Sequence, residues 1–173
     1  MADYMAPDHP GRTALIVGGT SGIGLATARR LLSLGAVVHV AGRSKERISA
    51  ATATDPGLHG HQADGSNAEQ IAALAETVGR TDWLIITLSG GEGAGPLAGL
   101  DLVTLRRAFD AKFWGHVTTI QAVLPRLAPD GSITLLGAIS AHAAMPGTAG
   151  LAAINGAVEA LVRPLAAELA PVR

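Results

Sequence analysis

Gly18, Gly22 and Gly24 stand at G-x-x-x-G-x-G spacing in the run from Thr13 to Gly24, T-A-L-I-V-G-G-T-S-G-I-G. The chemistry that this spacing can do is phosphate binding. Gly18 permits a tight turn out of a strand, Gly22 lets backbone approach a pyrophosphate, and Gly24 lets a following helix pack closely on the strand. The first N–H groups of that helix have no intrahelical acceptor, so they and the helix dipole can hold phosphate oxygens. Thr20, Ser21 and Ile23 complete the loop. Such glycine triplets also occur in ordinary loops. Here the β-prone run Ala14–Val17 precedes the triplet and the amphipathic pattern Leu25, Ala28, Leu31, Leu32 follows it, which is the context the motif requires.

A second chemical signal follows the next strand. Nucleotide-binding folds that select NAD place an acid at this strand end for the ribose 2′-hydroxyl, whereas those that select NADP place an Arg for the 2′-phosphate. This chain has Gly42-Arg43-Ser44 there. The Arg43 guanidinium can fork onto a phosphate, with Ser44 and the loop hydroxyls of Thr20 and Ser21 as further donors. NADP(H) is therefore expected over NAD(H). Glu46, close by, opposes that reading, and Arg43 is also compatible with a solvated charge at a strand end.

The elements that must position these residues alternate. Strands are expected at Ala14–Val17, Ala36–Ala41, Leu58–Gln62, Trp83–Leu88 and Ser132–Leu136. Helices are expected after Gly24, at Lys45–Ala53 with Ser44 as cap, at Ser66–Val78 with Ser66 and Glu69 as a capping box, from Asp101 to about Leu127, and at Thr148–Leu169. Gly90–Gly99 is a glycine-rich loop, and Pro164 should kink the last helix. Apolar strands alternating with helices predict a parallel sheet covered on both faces. The fold class is α/β, a three-layer αβα Rossmann fold with a doubly wound parallel sheet of five or more strands. Residues 1–12 form an arm and 13–173 one domain.

The loop, with Gly19-Thr20-Ser21 inside it, resembles that of the short-chain dehydrogenase/reductase family, with Val17 in place of a usual threonine. The likeness extends through Gly131–Leu135, Asn155–Leu161 and Ala167–Pro171. It implies a Rossmann domain that binds a nicotinamide cofactor and transfers hydride between a carbonyl and an alcohol. On this resemblance Asp64-Gly65 matches the family's adenine-contacting pair, although Asp64 equally suits a turn. Thr87-Leu88-Ser89-Gly90 stands where the family has N-N-A-G. Only the glycine is kept, so the family's support of the adenosine half must come from elsewhere or be absent, and Ser89 and Gly90 are the cofactor-lining candidates left there.

The catalytic pattern of the family is replaced. Its Tyr, the Lys four residues later, the Ser thirteen residues earlier and the Asn of the preceding long helix correspond to Leu151, Asn155, Ala138 and Lys112. Leu has no ionisable proton, Ala cannot donate to a carbonyl, and Asn carries no charge to depress a neighbour's pKa. The single tyrosine is Tyr4, ahead of the first strand. Replacement donors near the implied pocket are Lys112, Ser140 and His142. Lys112 is also readable as a surface lysine, Ser140 and His142 as loop residues, and His116 as helix packing. Three readings stay open: an oxidoreductase with a non-standard proton donor, a cofactor-binding or structural subunit without turnover, and a fragment of a longer dehydrogenase.

Composition bounds the rest. The 173 residues are 48% hydrophobic but only 3% aromatic, so the core must be built from Ala, Val, Leu and Ile. A formal net charge of −1 without charge blocks implies neither nucleic acid nor an anionic membrane as partner. The absence of cysteine excludes disulfides and thiolate chemistry. No signal-peptide pattern or span of roughly 20 apolar residues is present, so a cytoplasmic location is expected. The two long, alanine-rich helices are expected to pair copies into a homo-oligomer. The chain ends at Ala170–Arg173, where relatives continue into further strands, which makes C-terminal incompleteness an expectation.

Overall fold

Along the first strand, Leu15 and Val17 point to one side of the sheet and Ile16 to the other, and all three are buried. That two-residue alternation, with helices on both faces, turns an unbroken apolar run into a central strand. A computed structural model describes residues 9–89 and 92–172. Its strands are β1 (Thr13–Val17), β2 (Val37–Gly42), β3 (Leu58–Gln62), β4 (Thr81–Ile86) and β5 (Leu127–Leu135). The helices are α1 (Gly22–Ser33), α2 (Lys45–Thr54), α3 (Ala68–Val78), α4 (Leu102–Phe109), α5 (Gly115–Val123) and α6 (Ala149–Glu168).

All four strand pairings are parallel, in the order β3-β2-β1-β4-β5. The Rossmann-type, doubly wound sheet expected from the sequence is present. Leu15, Val17, Leu84 and Ile86 pack with Ile71 and Leu74 of α3 and with Ile120 and Val123 of α5. On the other face Ile16, Val38 and Val40 meet Ala28 of α1 and Leu58. Each fully buried Leu, Ile or Val contributes about 1.5–3 kcal/mol relative to exposure. Strand order reverses between β1 and β4, and the crevice at the carboxyl ends of those strands is where open α/β sheets bind ligands.

Several boundaries differ from expectation for local reasons. Strand β4 begins at Thr81, two residues early, because the buried Asp82 carboxylate accepts from Arg12 at 2.8 Å, Arg80 at 3.1 Å and the Thr13 amide at 2.9 Å. Burial alone would raise that carboxyl, but these donors outweigh it and hold Asp82 below the usual carboxylate range. Asn67 caps α3 by accepting from the Gln70 amide, while Ser66 instead donates to Asp64. Strand β5 starts at Leu127, with a register irregularity opposite Thr81–Trp83 that accommodates Pro129-Asp130-Gly131. The long helix expected at 101–127 is divided into α4, a π turn at Asp110–Trp114, α5 and a short 3-10 turn at Leu124–Arg126. Helix α6 runs continuously with Pro164 inside it. Among the described residues no helix is long and apolar enough to cross a membrane.

Candidate functional site

The carboxyl ends of β1, β2 and β4 open onto a cleft of about 620 Å³ lined by Gly18 and by Thr20 to Gly24 of the glycine loop. Helix α1 begins at Gly22, and its N-cap Ser21 is extended and makes no side-chain capping bond. The first-turn N–H groups are therefore left to a ligand, with the positive end of the helix behind them. Gly22 has φ +51° and nothing within 4 Å of where a Cβ would stand, so the cradle is open at this residue. Gly24 is the opposite case: a Cβ would lie 2.5 Å from the Gly18 carbonyl oxygen and from Thr87 Oγ1. Gly18, at φ +91°, would meet Thr87 Oγ1 at 2.7 Å. Gly18 and Gly24 thus let the turn and helix close on β4, and Gly22 keeps the cradle clear. These residues fit a pyrophosphate.

The β2 rim supplies charge. Arg43, Ser44 and Arg47 all line the cleft. Ser44 caps α2 by accepting from the Arg47 amide at 3.2 Å and donates to Glu46 Oε2 at 2.7 Å. That bond holds the Glu46 carboxyl below its usual range and keeps it occupied at the helix start. Arg47 is a second guanidinium that sequence reading missed. Its signal was available, since the third residue of a helix capped by Ser44 lies one turn on from Arg43 and on the same rim. Asp64 and Gly65 line the far wall, as does Ser89. Asp64 Oδ1 accepts from the Ser66 amide at 3.0 Å and its hydroxyl at 2.8 Å, so the turn role is filled while the residue still faces the cleft. Thr20 packs beneath Gly42, Ile23 is 63% exposed at the mouth, and Gly90 lies outside the described residues.

Beyond Ala111, which closes the cleft, the π turn carries Lys112 inward until it is 6% exposed. Lys112 Nζ donates to Asn155 Oδ1 at 2.7 Å. Asn155 Nδ2 in turn donates to Ser140 Oγ at 3.0 Å and to the Leu151 carbonyl at 2.9 Å. Ser140 and Asn155 are both buried. The side-chain partner of Lys112 is a neutral amide, so burial disfavours the cation and pushes the amine below the ordinary lysine range. The π turn thus presents an amine and α6 an amide to each other, at the two positions that the sequence resemblance matches to the family's Asn and Lys. Sequence reading reached Lys112 and Ser140 but saw Asn155 only as a loss.

The 3-10 turn at Ile139–Ala141 sends alternate residues in opposite directions. Ser140 turns inward. His142 turns outward, 70% exposed, with Nε2 2.7 Å from Glu159 Oε2. His142 is therefore not joined to the buried network. No group of three or more His, Asp or Glu side chains among the described residues is arranged to hold a metal.

Comparison with known proteins agrees with this geometry. The short chain dehydrogenase family profile matches residues 12–173. The oxidoreductase asL5 of Sarocladium schorii is 33% identical over 162 residues, covering 90% of this chain and 64% of its own length. The chain thus spans just under two-thirds of that relative. A solved short chain oxidoreductase from Pseudomonas aeruginosa PAO1, NADPH-bound and described as containing an atypical catalytic center, is 30% identical, with a TM-score of 0.88 and coverage of 97% and 70%. A small-chain dehydrogenase solved in complex with NADPH is 31% identical, with a TM-score of 0.79 and coverage of 94% and 67%.

Proposed function

We propose, from the premise that this chain belongs to the short chain dehydrogenase family, that it binds NADP(H) and interconverts a carbonyl and an alcohol using Lys112, Asn155 and Ser140 in place of the family's usual proton-handling set. The observation that carries this reading is the buried hydrogen-bonded run from Lys112 Nζ through Asn155 to Ser140 Oγ, next to a cleft shaped for a dinucleotide. A polar run of this kind, buried with a cation at one end, is costly to maintain unless it does something.

The glycine loop and the α1 N-terminus would hold the pyrophosphate, Asp64 and Ser89 the adenosine side, and Arg43 with Arg47 the 2′-phosphate. The nicotinamide, when bound, supplies or accepts the hydride. The chain's own residues manage the remaining proton. Ser140 Oγ accepts from Asn155, which leaves its O–H to donate to a substrate oxygen. Lys112, a stronger acid than an exposed lysine because it is buried, would pass an ammonium proton not used by Asn155 straight to the substrate oxygen on reduction, leaving a neutral amine, and recover it on oxidation. Asn155 donates twice and accepts once, and so orients both partners without titrating.

The experiment is a Lys112→Met variant assayed for NADPH-dependent reduction of a panel of aldehydes and ketones, with NADPH affinity measured alongside. Turnover should fall by at least ~100-fold, within the usual range for a general acid, while affinity stays within about twofold. Full turnover in the variant would sink the proton-donor assignment.

A second reading is favoured by Leu151, half-buried at the family's Tyr position with no ionisable group to offer. In it the chain holds NADP(H) without turnover, as a sensor or as a subunit paired with another copy. Exposed Val103 and Trp114 on the first long helical stretch and Val162 on α6 support such pairing. Light scattering that returned only monomer would remove the pairing.

A further inference from the structure

The main-chain carbonyl of Lys112 is met by a side chain. His116, which has 0% of its surface exposed, lies one turn further along α5 with Nδ1 2.7 Å from that carbonyl oxygen. A carbonyl can only accept, so Nδ1 carries the proton and the ring is the Nδ1–H tautomer. Burial lowers the imidazole's pKa, outweighing the main-chain carbonyls of Lys112 and Ile86, which favour the charged ring. The other ring nitrogen, Nε2, is buried and makes no hydrogen bond among the described residues. A leucine would fill this space without burying an unpaired nitrogen. What the imidazole adds is the Nδ1 donor.

That donor acts at an irregular place in the helix. The Gly115 amide reaches back to the Asp110 carbonyl, an i→i−5 step, while also approaching the Lys112 carbonyl. Such π turns are uncommon, add a residue to the turn and re-aim the side chains within it. Here the re-aimed side chain is Lys112, which meets Asn155 on α6 at 2.7 Å.

We propose that His116 is a positioning residue, whose Nδ1–H···O=C bond to Lys112 holds the π turn in the register that aims the Lys112 amine at Asn155. The inference rests on the reading of Lys112 as the proton-handling group only for its catalytic consequence. The structural claim stands by itself.

The chain contains two lysines, Lys45 and Lys112, so a protein labelled with 13C at lysine Cε gives two side-chain signals, the exposed Lys45 serving as internal reference. Three variants separate the donor from the bulk: His116→Asn keeps an amide donor at the δ position, His116→Gln moves it to the ε position, and His116→Leu keeps volume alone. Lys112 should titrate below the ordinary lysine range in the parent and in H116N. In H116Q and H116L it should move back up toward that range as the amine leaves its buried seat. A destabilised protein that kept the turn would lose melting temperature without that movement. Equal Lys112 titration in H116N and H116L, or in H116N and H116Q, overturns the proposal. Should the variants fail to fold, 15N spectra of imidazole-labelled parent protein decide it: the Nδ1–H tautomer at His116 is expected, and the Nε2–H tautomer overturns it. None of these readouts needs turnover, so they separate this inference from the fate of the proposed activity.

Discussion

Replacing Gly22 and Gly24 with alanine, one at a time, should separate packing of the loop from binding by the loop. At Gly24 the new methyl would lie 2.5 Å from the Gly18 carbonyl oxygen and from Thr87 Oγ1. The first of these is backbone and cannot swing aside, so helix α1 must shift. Overpacking of this kind costs about 1–3 kcal/mol, or a fall in melting temperature of ~2–12 °C for a domain of this size. At Gly22 there is no clash, since nothing lies within 4 Å. The cost there is conformational: φ is +51°, and an L-residue gives up about 1–2 kcal/mol to adopt it. The Gly22 methyl, however, stands in the open cradle where the pyrophosphate is expected. Loss of one charge-assisted phosphate contact is worth about 1.5–3 kcal/mol, a ~10- to 150-fold weaker Kd. Differential scanning fluorimetry and calorimetric titration with NADPH measure the two effects on the same samples. G22A should lose about 1–2 kcal/mol of stability and G24A about 1–3 kcal/mol, but G22A should be the poorer in binding because only its methyl stands in the open cradle. A G22A protein that binds NADPH like the parent would show that the phosphates do not lie over this residue.

Arg43→Ala and Arg47→Ala should each weaken NADPH by about tenfold, the low end for a charge-assisted contact on an exposed rim, and leave NADH within about twofold. Competition titrations check this, and equal losses for both cofactors would remove the 2′-phosphate from the argument. A pH dependence follows from His39. Burial, with the nearby His61 and His59 adding to it, lowers its pKa from 6.5 to about 4. Between those values the unfolded chain binds a proton that the folded chain refuses, so stability rises with pH through this window and is lost on acidification below about 6.5. His39→Gln should flatten the melting-temperature profile between pH 7 and 4.5. An unchanged slope would mean that His39 binds its proton alike in the folded and unfolded chain.

Much of the fold was legible because its demands are local. A two-residue apolar period, a 3.6-residue period and glycines at forced dihedral angles leave traces within a dozen residues. The glycine loop was legible for the same reason, and Arg43 because it is read from the end of a strand. What escaped was set by contacts between distant segments. Nothing near Asn155 announces that it will receive Lys112, 43 residues away. Ser140 and His142 look alike as loop donors until a 3-10 turn buries one and a glutamate on α6 captures the other. The π turn has no strong composition signal, and its effect on Lys112 shows only once His116 and α6 are in place. Ser66 and Asn67 are adjacent cap formers, and the competing bond to Asp64 decided between them.

The most direct measurement is calorimetric titration of the purified chain with NADPH and, separately, with NADH. Binding of both, with NADPH at least about tenfold tighter, is expected from the open glycine cradle and the paired guanidiniums of Arg43 and Arg47. Heat from neither cofactor, in a sample shown to be folded by its circular dichroism, would overturn the proposed cofactor site and the activity built on it.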